Sequence, residues 1–342
     1  MSHAETPSSL AEIRILLREL PGPDLGARRA VETRQLELLK PPGALGRLEE
    51  LAAWIAAWQG REAPHMSRPR VAVFAGNHGV AAQGISAYPA AVTEQMVQAF
   101  IAGQAAVNQL SALVDADLRI YELALDQPTG DISQGPAMAE EDAVRAIAYG
   151  MMAVEEGFDC MALGEMGIGN TTAAAALAAA LFGGSGADWA GPGTGLAGEA
   201  LAHKAAVIDR ALEVNRASLG DPLTALTALG GFEFCAILGA AIACRLARTP
   251  VILDGFASTA AASVLYAIEP LLLDHCLVAH VSAEPGHRRL LEAVGKAPLL
   301  DLGMRLGEAS GAALALPILQ AACACNNGMA TFAEAGVSAD DA

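Results

Sequence analysis

Five short runs of β-branched and apolar residues recur along the chain, and each ends in a turn of small residues that opens a long helical stretch. They are RPRVAVFAGNHGV near residue 69, DLRIYELAL from 117, CMALGEM from 160, TPVILDGFAST from 249 and CLVAHVSAEPG from 276. Strands that alternate with helices call for a parallel sheet, because parallel neighbours can be joined only by a crossover, and the usual crossover is a helix. The fold class is therefore α/β, a Rossmann-like parallel sheet with crossover helices. Ahead of the first run, LAEIRILLREL and LGRLEELAAWIAAW carry helical apolar spacing, separated by a Pro-Gly segment and the turn KPPGALGR. With 342 residues and 53% hydrophobic content, the chain can fill one large core or two unequal ones. The tail GVSADDA is expected to fray.

The formal net charge of -17, with only the three lysines Lys40, Lys204 and Lys296, opposes a nucleic-acid surface. A small anionic substrate remains possible, since helix N-termini bind phosphate with little cationic help. No run reaches the roughly 18 uninterrupted apolar residues of a membrane span, and the first twenty residues lack a signal-peptide apolar core, so a cytoplasmic protein without membrane contact is expected. The six cysteines show no C-x-x-C pairing and sit mostly inside apolar runs, which reads as reduced, buried thiols. No metal-ligand cluster and no cofactor are expected.

In an open parallel sheet the ligand lies at the carboxyl ends of the strands. Three of these turns carry chemistry. In GEMGIGNTT, Gly164, Gly167 and Gly169 permit close backbone approach, while Asn170, Thr171 and Thr172 open a helix whose amides suit a phosphate. The spacing G-x-x-G-x-G is not the dinucleotide fingerprint and no Walker lysine follows, which opposes an NAD-dependent oxidoreductase and ATP. Taken alone, the same turn is equally a capped helix start. In VILDGFAST, Asp254 closes a strand and Ser258 opens a helix, a natural second contact to an anion or ribose. In GNHGVAAQGISAYP, His78 leaves the first sheet strand and Tyr88 lies in a loop able to cover a flat ring, and both are expected to contact that ring, although a lone turn histidine is more often structural. Lys204 stands out through lysine scarcity. Glu284, His287, Arg305 and Glu308 read as a surface ion-pair set, a reading that applies above all to Arg288 and Arg289 beside them. Glu165 is the carboxylate beside the phosphate turn, where burial would raise its pKa and suit it to proton transfer.

Seven stretches carry a resemblance: LLKPPGALGRLEELA, FAGNHGVAAQGISAYPAAVTEQMV, ALGEMGIGNTTAAAAL, GGFEFCAILGA, VILDGFASTAAA, SAEPGHR and MRLGEASGAALALPIL. In this order, from about residue 35 to 338, they resemble the nicotinate-nucleotide:dimethylbenzimidazole phosphoribosyltransferase (CobT) family of cobalamin biosynthesis. The resemblance implies transfer of ribose 5-phosphate from nicotinate mononucleotide to 5,6-dimethylbenzimidazole with inversion. It implies a large α/β domain over residues 67–302 with a six-stranded sheet, a small helical domain from 1–66 plus 303–342, and a homodimer. It also implies a phosphate site of Gly167, Gly169, Asn170, Lys204 and Ser282, and an acceptor pocket that includes Tyr88 and Met96, which depart from a serine and a glutamine of the family pattern. Gln320 stands where the family's proposed catalytic base is a glutamate. Glutamine takes no proton at neutral pH, so Glu165 is expected to carry the base role with Gln320 orienting the acceptor. The same substitution keeps open a catalytically weakened mononucleotide-binding or sensor protein.

Overall fold

The structure, a computed structural model, describes residues 7–338; residues 1–6 and 339–342, the latter the end of the tail read as fraying, lie outside it. Helices α1 (Leu10–Arg18), α2 (Leu25–Glu37) and α3 (Arg47–Gln59) lead into β1 (Pro69–Ala75). Then come α4 (Ala91–Ile101), α5 (Ala106–Ala112), β2 (Asp117–Glu122), α6 (Glu140–Met152), β3 (Cys160–Met166) and α7 (Asn170–Phe182). The chain continues through α8 (Gly186–Trp189), α9 (Gly198–Val214), α10 (Pro222–Leu229), α11 (Phe232–Leu246), β4 (Val251–Leu253) and α12 (Phe256–Ile268). It closes with β5 (Cys276–Val278), α13 (Pro285–Ala293), α14 (Ser310–Gly328) and α15 (Phe332–Ala335).

The strands form one sheet in the order β2-β1-β3-β4-β5, and every pairing is parallel. The expected sixth strand is not formed among the described residues. At the β5 edge the chain makes an isolated parallel bridge, His280 with Leu300. Leu299 and Leu300 donate their amides to Val278 and Ala279, at 3.0 and 2.9 Å. Pro298 has no N–H to extend that ladder, and the chain turns away at Gly303, where φ is +67°.

Both faces of the sheet are covered, so the strands bury residues of both parities. Phe74, Met161, Leu163 and Leu253 join the core beneath α6, α7, α11 and α12. Val71, Val73, Ala162 and Ile252 join the opposite core with Ala312, Leu316 and Leu319 of α14. A smaller cluster unites Ala27 and Val31 of α2, Leu51 and Ala56 of α3, and Ala322 of α14, bringing together segments from the two ends of the chain. Helix α1 instead sends Leu10, Ile13 and Leu17 into the larger core. Among the described residues no helix is long and apolar enough to cross a membrane.

Candidate active site

From β1 the chain moves outward to β2 on one side, whereas β3, β4 and β5 lie on the other. The carboxyl ends of β1 and β3 therefore flank a switch point, the usual ligand crevice of an open α/β sheet. A cavity of about 860 Å³ opens there. Its walls come from the turn after β3 (Glu165 to Thr171), the start of α12 (Gly255 to Ala257), the segment after β5 (His280, Ser282, Glu284) and the approach to α14 (Arg305 to Glu308). Tyr88, Val92, Met96 and Ala105 add an apolar side.

The turn after β3 has the form expected of an anion site. Gly169 caps α7 at a φ of +100°, a left-handed conformation that a side chain would strain, and this aims the first helical turn at the cavity. Thr93 holds the turn from outside, its Oγ1 accepting from the Ile168 amide at 3.1 Å. Lys204 is fully buried and does not line the cavity. Its Nζ donates to Thr171 Oγ1 at 2.8 Å and to the Gly191 carbonyl at 3.0 Å, so it acts on the turn through Thr171. Burial lowers its pKa to about 8 against the opposing pull of Glu284.

Three carboxyls line the cavity, Glu165, Glu284 and Glu308. Glu165 is 7% exposed, and its carboxylate accepts a short hydrogen bond from the Asn170 side chain. Glu308 lies in a run of three left-handed residues, Gly307, Glu308 and Ala309, with φ of 81°, 61° and 57°. Such backbone is unfavourable for non-glycine residues and persists only where neighbours hold it. Here the Glu308 amide donates to the Glu165 carbonyl at 3.1 Å, and buried Asp254 accepts the Ala312 amide at 2.9 Å. Gly164 makes this approach possible, since a Cβ there would sit 2.2 Å from the Ala309 nitrogen.

Burial, reinforced by the charge of Asp254, pushes the Glu308 carboxyl up to about 7. Glu165 is driven well above the ordinary carboxylate range, first by burial and then by the charges of Asp254, Glu233 and Glu308, with the Asn170 bond opposing. The site thus pairs two carboxyls that both hold their protons more tightly than usual, Glu308 with a pKa near neutrality.

Of the residues read from the sequence, Glu165, Gly167, Gly169, Asn170, Thr171, Tyr88, Met96 and Ser282 line this one cavity. Five of the expected ligand contacts do not. Gln320 sits midway along α14, and its amide donates to the Met66 carbonyl at 3.3 Å, next to the amino end of β1 and away from the switch point. The helix axis carries it away from Glu308, at the rise of roughly 1.5 Å per residue of any α-helix. His78 is buried behind the turn after β3, with Nε2 at 2.5 Å from Glu233 Oε1 and its ring against Gly167, so it supports the turn and lies outside the cavity lining. Ser258 is fully buried and lies outside the lining, because the α12 start presents Gly255 to Ala257 instead. Lys204 is the fourth.

Asp254, the fifth, caps α14 rather than facing a ribose. The ion-pair reading holds for Arg288 with Asp301 at 2.9 Å and for Arg289 with Asp188 at 3.4 Å. It fails for Glu284, which accepts the Gly193 amide at 2.8 Å, and for Glu308. LGEASG repeats the Gly-Glu-before-a-small-residue-helix pattern of GEMGIG, and that was the available signal for Glu308. Among the described residues no group of three or more His, Cys, Asp or Glu is arranged to hold a metal ion.

The chain is similar to known proteins over nearly its whole length. A phosphoribosyltransferase family model matches residues 20–337. A nicotinate-nucleotide–dimethylbenzimidazole phosphoribosyltransferase of Brucella anthropi is 56% identical over 327 residues, covering 96% of this chain and 96% of the relative. The protein of that name in Rhizobium rhizogenes is 56% identical over 327 residues with the same coverage of both chains. The crystal structure of CobT from Thermus thermophilus matches with a TM-score of 0.86 at 43% identity, over 92% of this chain and 100% of that one.

Proposed function

The chain belongs to the nicotinate-nucleotide–dimethylbenzimidazole phosphoribosyltransferase family, and on that premise we propose that it moves ribose 5-phosphate from nicotinate mononucleotide to 5,6-dimethylbenzimidazole. The anomeric carbon inverts, nicotinate leaves, and α-ribazole 5′-phosphate remains. The observation that carries the assignment of roles is Glu308, a cavity carboxyl held near 7 beside an amide-rich helix start.

The donor phosphate docks on the Gly167–Thr171 turn, where the positive end of α7 and the hydroxyl of Thr171 meet it and Lys204 supplies charge from behind. Ser282 borders the same region. The acceptor ring stacks in the apolar side formed by Tyr88, Val92 and Met96. Holding the acceptor nitrogen in line with the anomeric carbon supplies most of the acceleration, because nicotinate is a good leaving group. As the new C–N bond forms and the bond to nicotinate breaks, the acceptor's N–H proton passes to Glu308. Glu165, whose burial favours the protonated form, donates to a ribose oxygen and fixes the Glu308 backbone through its own carbonyl.

The sensor reading drew on Gln320, and a residue at the amino end of the sheet gives it no support. The proposal extends to a division into 67–302 and a unit from 1–66 plus 303–342, to which the α2–α3–α14 cluster is the pointer. It extends also to a homodimer, for which Ile101 and Leu113 offer exposed apolar surface, and to the cytoplasm, where six free cysteines stay reduced. The test is to mix the purified chain with nicotinate mononucleotide and follow nicotinate by chromatography. Release that depends on added dimethylbenzimidazole is the expected result; no release with any benzimidazole or phenol would overturn it.

A further inference from the structure

We propose that His280 is a substrate-binding residue of this cavity, donating an imidazole N–H to an anionic oxygen of the donor nucleotide, either its phosphate or its carboxylate. The proposal deepens the reading above and rests on it. His280 follows β5, is 1% exposed and lines the cavity, yet neither of its ring nitrogens has a hydrogen-bond partner in the protein. The other buried histidines among the described residues each engage at least one. His78 pairs with Glu233, His275 Nε2 meets the Ala241 carbonyl at 2.8 Å, and His287 Nδ1 accepts the Ser282 amide at 2.8 Å. Leaving a buried polar ring without partners is unfavourable, and on a cavity wall the ordinary remedy is a ligand.

The surroundings say what kind of ligand. The ring is wedged between Gly255 and Gly311, where added Cβ atoms would lie 3.2 Å from Nε2 and 2.1 Å from Cδ2, so it has little room to turn. Gly255 stands at the start of α12, a helix N-terminus whose partial positive charge favours an anion, whereas Gly311 stands at the start of α14, which Asp254 already caps. Asp254 Oδ1 lies 3.7 Å from Nε2, too far for a hydrogen bond, so the ring proton is not tied to that nitrogen and can sit on Nδ1 as a donor. The other nitrogen, Nδ1, is then available to a substrate. Ser282 and Gly255 border the same wall. An imidazole beside the α12 start is suited to a phosphate or carboxylate oxygen rather than to an apolar ring.

The experiment uses the full chain and the variants His280→Gln and His280→Ala, each first checked for a cooperative thermal transition. Losing the contact should raise the KM for nicotinate mononucleotide about tenfold or more, the usual effect of a hydrogen bond to a charged group. The KM for dimethylbenzimidazole should stay within about twofold, since that ring makes no such bond. Calorimetric titrations with inorganic phosphate and with nicotinate, each alone, separate the two sources. Weakened phosphate binding assigns the contact to the phosphate, and weakened nicotinate binding assigns it to the carboxylate. In the wild type, the imidazole nitrogen signals that vanish in His280→Gln should shift on adding the nucleotide. Unchanged KM and unchanged binding of both anions would overturn the proposal, as would imidazole signals that do not move. If the wild type releases no nicotinate, the proposed reaction fails, while the two anion titrations still decide for or against His280. If His280→Ala does not fold, His280→Gln and the wild-type signals decide.

Discussion

Replacing Glu308 by glutamine tests the chemistry most directly, because the side chain keeps its shape and loses its proton-accepting oxygen. With its carboxyl at about 7, Glu308 is roughly half ionised at pH 7 and about one-tenth ionised at pH 6. Wild-type kcat should therefore rise with pH along a limb centred near 7. Glu308→Gln should lower kcat by about 10²–10⁴, the range for a lost general base, and should flatten that limb. Stability should move the other way. The folded carboxyl holds its proton more tightly than the unfolded one, so its contribution is fully present below 4.5 and is lost as pH rises through about 7. The loss is up to about 3 kcal/mol, at roughly 1.4 kcal/mol per tenfold change in proton affinity. Glutamine does not ionise, so Glu308→Gln should melt at a higher temperature than wild type at pH 8 and at a similar one at pH 4. The assays are nicotinate release from pH 5.5 to 9 and thermal melts at the two pH values. A variant that keeps turnover within about threefold, or keeps the limb near 7, would refute the base assignment.

Glu165→Gln should lower kcat by less than about tenfold, because the glutamine amide keeps the donor role proposed for this side chain, whereas Glu165→Ala, which strands the Asn170 amide, should destabilise by about 1–3 kcal/mol in chemical denaturation. In the wild type, the KM for nicotinate mononucleotide should climb above pH 8 as Lys204, lowered to about 8, loses its charge; Lys204→Met should raise that KM at pH 7, leave the KM for dimethylbenzimidazole nearly unchanged, and remove the climb. Gln320→Ala and Gln320→Glu should each leave both KM values within about twofold in steady-state assays, since the residue lies outside the cavity.

The strand runs, their small-residue turns and the alanine-rich helices behind them are local patterns, which is why the parallel α/β class and the location of the site could be read from residues alone. The Gly167–Thr171 turn was legible for the same reason: glycine spacing and a helix start are properties of neighbouring residues. The length of the sheet was not, because whether Leu300 extends a strand or makes one bridge depends on Pro298 and Gly303 meeting β5 across the fold. Nor did spacing show which of several buried polar residues reach the cavity. His78 is drawn behind the turn by Glu233, more than 150 positions along the chain, and Lys204 is turned toward Thr171 by burial. Glu308 reads in sequence as one more charge near a loop. It becomes a candidate base only because Gly164 lets its segment lie against β3, Asp254 caps the helix that follows, and burial beside that acid raises its pKa. Residue type and local period determined the framework and the anion-seeking turn; which carboxyl holds a proton is set by packing and field, and those exist only once distant segments have met.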